Sequence, residues 1–263
     1  MDQTGEAGGR GSGGAPGFFD RWKVSIAACT IGLAIGAAGV ALATGALSGA
    51  SAERAEIEGM VRDYLLEHPE ILPEAMERLQ QREVARAVGE NRAALETPFH
   101  GAWAGSADPD VVLVEFYDYA CGFCRASNAD LDRLLREDPK LRVVWREWPV
   151  LGPDSEAASV ASLAAAQRGR FKPFYDALFA SGRPTPANVE QALRAVGIDP
   201  AEAAAYRSSP EVAAELQRNQ GLARTLGATG TPLFMVGDQI LSGAVGYEAL
   251  REAISKAREQ AES

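Results

Sequence analysis

The chain has 263 residues, of which 46% are hydrophobic and 24% charged, values that are ordinary for a globular protein. Its formal net charge is −10 and it has no block rich in lysine and arginine, which argues against nucleic-acid binding. Three cysteines are too few for a disulfide-rich scaffold, and two histidines leave little material for a histidine-dependent metal or protease site.

The N-terminal region divides into a tail and an apolar segment. Residues 1–23, rich in glycine as far as residue 17, cannot bury a core and are expected to form a flexible cytoplasmic tail. Residues 24–47 carry no charge and would form roughly 36 Å of helix, enough to cross a bilayer with some tilt. Because Arg21 and Lys23 precede this run and glutamates follow it, the positive-inside rule places the rest of the chain outside.

Two other fates of the apolar segment are considered. The sequence ASA at 50–52 suits a signal peptidase, but the apolar run is longer than the ~7–15 residues of a signal-peptide core. A membrane anchor is therefore favoured over a cleaved signal peptide. The stretch Ile26–Cys29 looks like a lipoprotein box, but the apolar run continues past Cys29, which is therefore interpreted as a small apolar side chain.

Residues 53–96 are predicted to form a separate charged, helical unit with a break and a restart at Pro69 and Pro73. The apolar stripe is too narrow to be buried by this segment alone. It must pack on the main domain or on further copies of the chain, and its spacing leaves both alternatives open. The stripe recurs at the spacing of one helix face: Ile57, Met60, Val61, Tyr64 and Leu65.

The rest of the chain has the pattern of a small α/β sheet. Residues 97–110 are irregular, with a short edge strand expected near Phe99–Trp103. Val111–Tyr119 and Leu141–Val150 are β-branched, apolar and aromatic, which predicts two buried strands with a helix between them. A hairpin is predicted from Pro232 to Gly243, with its turn at Gly237–Asp238, followed by a final helix to about Glu259.

Between the second strand and the hairpin, about 155–227, the pattern is helical throughout, so we predict an α/β fold with an inserted all-helical subdomain. Candidate N-caps open the helices and glycines close them. The caps are Asp154 or Ser155, Thr185, Asp199 and Ser209, and the glycines are Gly169, Gly182, Gly197 and Gly227.

Cys121 and Cys124 are separated by Gly122 and Phe123 and lie between the first strand and its helix. A zinc site would need four ligands, which the remaining cysteine and two histidines do not supply. A purely structural bridge across two residues would remove little unfolded-state entropy. Free N–H groups and the helix dipole would stabilise a thiolate at Cys121, and Cys124 could then attack a mixed disulfide from within the same chain. We interpret the pair as a redox-active disulfide.

The segments VEFYDYACGFC (114–124) and GATGTPLFMVGDQILSGAVG (227–246) resemble the DsbA family of thioredoxin-fold disulfide oxidoreductases. The resemblance covers about Phe99 to Lys256, including the helical insertion, so residues 97–260 are expected to form such a domain. It implies a cis bond between Thr231 and Pro232, whose backbone edge would pair with a substrate chain beside the cysteines. The alternative for Pro232 is a proline that merely starts a strand.

The same resemblance implies a role for Glu115, six residues before Cys121. The family carries a buried acid at this position, thought to manage the proton of the second cysteine, and burial would raise the pKa of such an acid. The alternative is that Glu115 faces outward, in alternation with Val114 and Phe116.

Two features distinguish this chain from strong oxidants of the family. Such oxidants typically carry Pro-His between the cysteines, whereas this chain has Gly122-Phe123; a less stabilised thiolate makes the disulfide less oxidising. The stretch MVRDYLLEHPEILPEAMERLQQRE (60–83) resembles the N-terminal segment of the suppressor-of-copper-sensitivity protein C type. Some members of that type trimerise through the segment and act as isomerases, which favours an oligomerisation stalk in residues 53–96.

The expected function is therefore thiol–disulfide exchange on unfolded or mispaired exported proteins, with isomerase or reductase activity slightly favoured. The domain would lie in the bacterial periplasm, tethered to the inner membrane or released by signal cleavage, and would need no cofactor or metal. A membrane partner would reduce or reoxidise the pair. The alternatives are a DsbA-like oxidase recharged by a quinone-linked partner, a Cu(I)-handling thiol module, and a redox-inactive adaptor.

Overall fold

The computed structural model describes Gly36, Arg54 and residues 56–262. The predicted tail, Cys29 and all of the predicted membrane segment except Gly36 lie outside these residues. Within the described part of the chain, no helix combines the length and the apolar character that crossing a membrane requires. The chain separates into two compact units, Met1–Glu74 and Ala75–Ser263, which are described one at a time.

The described part of the first unit is largely helical. Residues 56–67 form a helix, which ends where the backbone N–H of His68 bonds the carbonyl of Tyr64 at 2.9 Å. The predicted break at Pro69 is present, because residues 68–70 are not helical and a new helix, α1 (Ile71–Glu96), follows. Most of the predicted apolar stripe is exposed: Ile57, Met60, Val61 and Tyr64.

The second unit is built on a five-stranded sheet with the order β1-β3-β2-β4-β5. β2 and β3 are parallel and are connected by α2 (Gly122–Glu137), and the other neighbouring strands are antiparallel. The strands are β1 (Trp103–Gly105), β2 (Val111–Tyr117), β3 (Leu141–Glu147), β4 (Leu233–Val236) and β5 (Gln239–Ser242).

The predicted all-helical insertion lies between β3 and β4, and a final helix, α8 (Tyr247–Glu262), follows β5. The α/β architecture with a helical insertion is thus confirmed. The insertion consists of α3 (Pro153–Gln167), α4 (Phe171–Ala180), α5 (Pro186–Ala195), α6 (Pro200–Ala205), a 3-10 turn (Tyr206–Ser208) and α7 (Pro210–Thr225).

Three of the four predicted N-caps of the helical insertion are confirmed. Thr185, Asp199 and Ser209 cap α5, α6 and α7 with side-chain oxygens that accept backbone N–H groups. The predicted cap of α3 was wrong: Gly152 holds that position because Pro153, whose ring favours the first helical turn, starts the helix. The edge strand starts at Trp103 rather than near Phe99, because residues 99–101 form a turn.

The two faces of the sheet belong to separate apolar clusters, and strand alternation assigns each residue to one of them. On β2, Leu113 and Tyr117 join the cluster that contains α2, α8 and the insertion. Val114 and Phe116 join the other cluster, which contains the C-terminal half of α1 through Val88 and Leu95 and part of α7. Glu115, between Val114 and Phe116, therefore shares the face of Leu113 and Tyr117.

Candidate active site

Cys121 lies at the start of a helix, directly after the turn that follows β2. It is the N-cap of α2, with φ −77° and ψ 117°. Its sulfur accepts the backbone N–H of Cys124 at 3.4 Å and donates its thiol proton to the carbonyl of Thr231 at 3.2 Å. Both cysteines are free thiols. The sulfur of Cys121 is thus held between a helix terminus and a backbone carbonyl.

The two thiols differ in exposure. Cys121 is 5% exposed, whereas Cys124, one turn into α2, is fully buried. Burial raises the pKa of the Cys124 thiol, and the neighbouring carboxyl of Glu115 raises this pKa further. Between them, Gly122 is exposed and Phe123 is 68% exposed, an unusual position for a large aromatic ring. Attack from outside therefore reaches Cys121 first.

The Thr231–Pro232 segment faces the cysteines from the loop before β4. The peptide bond between these residues is cis. The carbonyl of Thr231 is the acceptor for Cys121, and the carbonyl of Pro232 accepts the backbone N–H of Gly243 at 2.8 Å. The loop is therefore fixed by the end of β5, and its backbone lies beside the sulfur of Cys121.

Glu115 is fully buried on the inner face of β2, so it does not face outward. Burial raises the pKa of Glu115 to about 8; Trp145 and Tyr175 oppose this shift, and nearby Glu147 adds to it. Oε2 of Glu115 lies 3.3 Å from the hydroxyl of Tyr175, whereas Oε1 and the indole nitrogen of Trp145 make no hydrogen bond of ordinary geometry to the described residues. A carboxyl in these surroundings is mostly protonated at neutral pH.

Asp118 is a residue of this site that the sequence analysis missed. Its buried carboxylate accepts the backbone N–H of Ala120 at 2.7 Å and those of Val150 and Leu151 at 2.8 and 2.9 Å. It thereby ties the loop after β3 to the cysteine turn. An aspartate that accepts the N–H two residues further on is a common turn signal, which could have been recognised.

An apolar rim surrounds the cysteine turn. The side chains of Val150 and Leu151 are 45% and 55% exposed, and Phe123 is exposed beside Cys121. Exposed apolar side chains grouped at a reactive centre indicate a surface that binds other apolar groups. The sequence analysis did not identify this rim, because Val150 was assigned to the end of a predicted strand and Leu151 follows directly after it.

The chain matches two protein-family models. The model described as DSBA-like thioredoxin domain covers residues 112–255. The model described as copper resistance protein ScsC N-terminal domain covers residues 53–86. The two matches coincide with the predicted thioredoxin domain and with most of the predicted stalk.

Solved structures give the same result. A thioredoxin-like oxidoreductase from Silicibacter pomeroyi is 39% identical, with a TM-score of 0.58 over 60% of this chain and 91% of that one. A linker-deletion mutant of Proteus mirabilis ScsC is 28% identical, with a TM-score of 0.65 over 80% of this chain and 96% of that one. These likenesses support a thioredoxin-like fold with a helical insertion.

Among curated proteins, the chain resembles Na(+)/H(+) antiporter NhaA 1 of Salinispora arenicola, at 26% identity over 156 residues. The chain spans about a quarter of the length of that relative, because the match covers 58% of this chain and 24% of the antiporter. The similarity is therefore to a part of the antiporter chain.

Proposed function

We propose that this chain, which belongs to the family of DSBA-like thioredoxin domains, is a thiol–disulfide oxidoreductase that rearranges or reduces disulfide bonds in exported proteins. The observation that carries the proposal is the position of Cys121. Its sulfur caps a helix, accepts the N–H of Cys124, and faces the carbonyl of Thr231 at 3.2 Å. This arrangement presents a nucleophile beside a backbone edge with which an extended substrate can pair.

In the proposed reaction, the thiolate of Cys121 attacks one sulfur of a substrate disulfide. A mixed disulfide forms and one substrate thiolate leaves. If that thiolate attacks another disulfide of the substrate, the pairing is rearranged and Cys121 is eventually released reduced. If Cys124 attacks the sulfur of Cys121 instead, the substrate leaves reduced and the enzyme holds the Cys121–Cys124 disulfide. A membrane partner must then return two electrons to the pair.

Glu115 is the proposed proton carrier for the second step. Cys124 is buried, and a buried thiol does not ionise readily near neutral pH. In its charged form, the carboxylate of Glu115 takes the proton of Cys124, so that the resulting thiolate can close the disulfide. Because the pKa of Glu115 is about 8, a fraction of this acid is already ionised at neutral pH.

Isomerase or reductase activity is favoured over net oxidation by two features. The Gly122-Phe123 pair lacks a histidine that would further stabilise the thiolate, and the exposed rim of Phe123, Val150 and Leu151 suits apolar segments of an unfolded protein. We further propose that residues 53–96 assemble several copies into a trimer or dimer in the periplasm. The predicted anchor at 24–47, or a soluble form released by cleavage, would place them there.

The test combines two substrates. Scrambled ribonuclease should regain activity in the presence of the reduced protein, and the Cys121→Ser variant should restore none. Reduced ribonuclease with glutathione disulfide should be oxidised only slowly. The proposal fails if oxidation is fast while scrambled ribonuclease stays inactive, since that result identifies an oxidase. Alkylation of the pair in its native envelope adds a second criterion: a mostly oxidised pair would also identify an oxidase.

Handling of Cu(I) is the second candidate. It is favoured by the two neighbouring thiols and by the description of the matched N-terminal model as that of a copper resistance protein. It predicts tight stoichiometric binding of Cu(I) by the reduced protein and little recovery of scrambled ribonuclease. Both assays on one preparation separate the two candidates.

A further inference from the structure

Besides Glu115 and Asp118, a further buried acid lies at the end of the sheet that carries the cysteine turn, and the proposed reaction does not use it. Glu147 is the last residue of β3 and is 1% exposed. In the parallel register of the sheet it pairs with Tyr117, two residues along β2 from Glu115. Both acids therefore lie near the end of the sheet that carries the cysteine turn.

The carboxyl of Glu147 ends a chain of hydroxyl groups. The hydroxyl of Tyr117 donates a short hydrogen bond to Oε1 of Glu147 and lies 3.1 Å from the hydroxyl of Tyr119. The hydroxyl of Tyr119 lies 2.8 Å from that of Ser162. Since each hydroxyl carries one proton, the chain points toward Glu147 when this residue is charged and can reverse when it is neutral.

The surroundings provide little compensation for a negative charge on Glu147. In the part of the chain that the structure describes, no lysine or arginine forms an ion pair with this residue. Asp118, in the turn after β2, adds a like charge, and α4 contributes Asp176, whose charge acts on Tyr119. Ser159 and Ser162 of α3 favour the charged form, yet Oε2 of Glu147 and the hydroxyl of Ser159 make no hydrogen bond of ordinary geometry to described residues. Burial raises the pKa of Glu147 to about 8.

Glu147 is linked to the cysteine site through packed tyrosines. The ring centroids of Tyr117 and Tyr175 lie 5.1 Å apart, and the hydroxyl of Tyr175 lies 3.3 Å from Glu115. A charge on Glu147 raises the pKa of Glu115, and a charge on Glu115 raises the pKa of Cys124. A charge on Glu147 therefore acts on the pKa of Glu115, and a charge on Glu115 acts on the pKa of Cys124.

We propose that Glu147 is a positioning residue for disulfide closure, which by staying protonated allows Glu115 to ionise and to accept the proton of Cys124. The proton moves from the sulfur of Cys124 to the carboxylate of Glu115, and Glu147 exchanges none with either sulfur. When Glu147 ionises as well, the like charge holds the proton on Glu115. The inference rests on the proposed disulfide exchange, and it makes the two acids a coupled pair that titrates in two steps.

The test is the pH profile of closure of the Cys121–Cys124 disulfide. Reduced full-length protein is mixed with excess glutathione disulfide between pH 5.5 and 9.5, quenched with acid and alkylated, so that closure is resolved from mixed-disulfide formation. Glu147→Gln should match the wild type near pH 6, because Glu147 is then protonated in the wild type and the side chain is uncharged in both proteins. At higher pH its profile should collapse to one step, with a midpoint lower by about one pH unit.

Three further variants complete the design. Glu115→Gln should remove the step, and Glu115→Gln with Glu147→Gln should behave like Glu115→Gln alone. Ser155→Ala changes a buried polar side chain of α3 without removing a charge, and should leave the midpoint of the wild type unchanged. An unchanged midpoint in Glu147→Gln, or a shift that persists without Glu115, overturns the inference.

A measurement on the wild type guards against variants that fail to fold. Carbon-detected NMR titration of the glutamate carboxyls should show two coupled steps for Glu115 and Glu147, with Glu147 neutral at pH 6. A charged Glu147 at that pH overturns the inference. If the titration shows the coupling but the wild type exchanges no disulfides, the coupling stands and the proposed function fails instead.

Discussion

At the scale of single residues, the two cysteine side chains lie in two different environments. Cys121 sits at the N-cap of α2, where helix N–H groups are not used by the helix itself, and Cys124 sits one turn further on in a closed interior. A spacing of three residues is sufficient for this division, because it moves the second sulfur one turn along α2. The different environments of the two thiols thus follow from their spacing together with the packing around α2.

The asymmetry predicts different outcomes for the two cysteine variants. Cys124→Ser should accumulate mixed disulfides with substrate, because Cys121 still attacks and nothing inside the site displaces the substrate. Cys121→Ser should accumulate none. Non-reducing electrophoresis after acid quenching and alkylation measures both. Equal trapping by the two variants would show that Cys124 attacks substrates directly, contrary to its burial.

The buried acids predict how stability depends on pH. The pKa values of Glu115 and Glu147 are about 8 in the folded protein, against an ordinary value of 4.5. Between these limits the unfolded chain has lost protons that the folded protein retains, so the free energy of unfolding should fall as pH rises from 5 to 8. Each group lowers the free energy of unfolding by at most about 1.4 kcal/mol per pH unit. Below pH 4.5 this decline is absent, because both groups are then protonated in the folded and the unfolded protein.

Urea denaturation at pH 5 and pH 8 measures this decline. Glu115→Gln should reduce it, because glutamine has no proton to retain. Glu252→Gln is the matched control: Glu252 is exposed on α8, and its partner Lys256 lowers its pKa below the ordinary value. Equal declines in wild type and Glu115→Gln would show that Glu115 is charged in the folded protein at pH 5.

The two buried acids differ in how readily they can be identified from the sequence. Glu115 was identified because it interrupts an apolar strand before the cysteine pair, in a segment that resembles a known family. Glu147 stands in REWP, at the end of a strand where polar residues are common, and its burial depends on the serine-lined face of α3 that packs over it. That packing joins residues far apart in sequence, and no local pattern reveals it.

At the scale of elements, one buried arginine connects α1 to the sheet. Arg146 of β3 is 1% exposed, and its guanidinium bonds Glu215 of α7 at 2.7 Å. The same group donates to the carbonyl of Leu95 at 3.0 Å and to that of Ala94, near the C-terminal end of α1. It thus satisfies helix-end carbonyls that lack partners within the helix.

Loss of this contact should be costly. Arg146→Ala leaves Glu215 buried without its main partner and leaves the carbonyls at the end of α1 unpaired, so the free energy of unfolding should fall by about 3–5 kcal/mol. Arg218→Ala is the matched control, because Arg218 pairs with the same carboxylate but its side chain is 55% exposed. Its cost should stay below about 1 kcal/mol.

Urea denaturation of both variants measures these two losses in the free energy of unfolding. Equal small losses would show that Glu215 finds other partners or takes up a proton. The contacts of Arg146 also explain why the sequence did not define the C-terminal end of the predicted stalk. The predicted apolar stripe covered Ile57 to Leu65, whereas Val88 and Leu95 of α1 pack against the sheet, where Arg146 binds the carbonyl of Leu95. The strand and helix order was predictable because it depends on local periodicity.

At the scale of the whole molecule, the exposed apolar side chains of residues 56–67 require an explanation. Ile57, Met60, Val61 and Tyr64 lie on one face and are 49–59% exposed. A helical face of this kind gains free energy when copies of the helix pack together. Several active sites on one assembly would then hold a misfolded substrate at more than one point, which raises the overall affinity without new contacts at any one site.

This argument predicts that assembly and isomerase activity are lost together. Met60→Glu with Tyr64→Glu in the full-length protein places charges on the apolar face, so sedimentation should show smaller species and recovery of scrambled ribonuclease should fall severalfold. The rate with glutathione disulfide should be unchanged, since that small substrate needs one site only. Arg62→Glu, a charge change on the same helix away from the stripe, should preserve both properties. A variant that dissociates but keeps full isomerase activity would separate the stalk from the function and leave the single domain as the working unit.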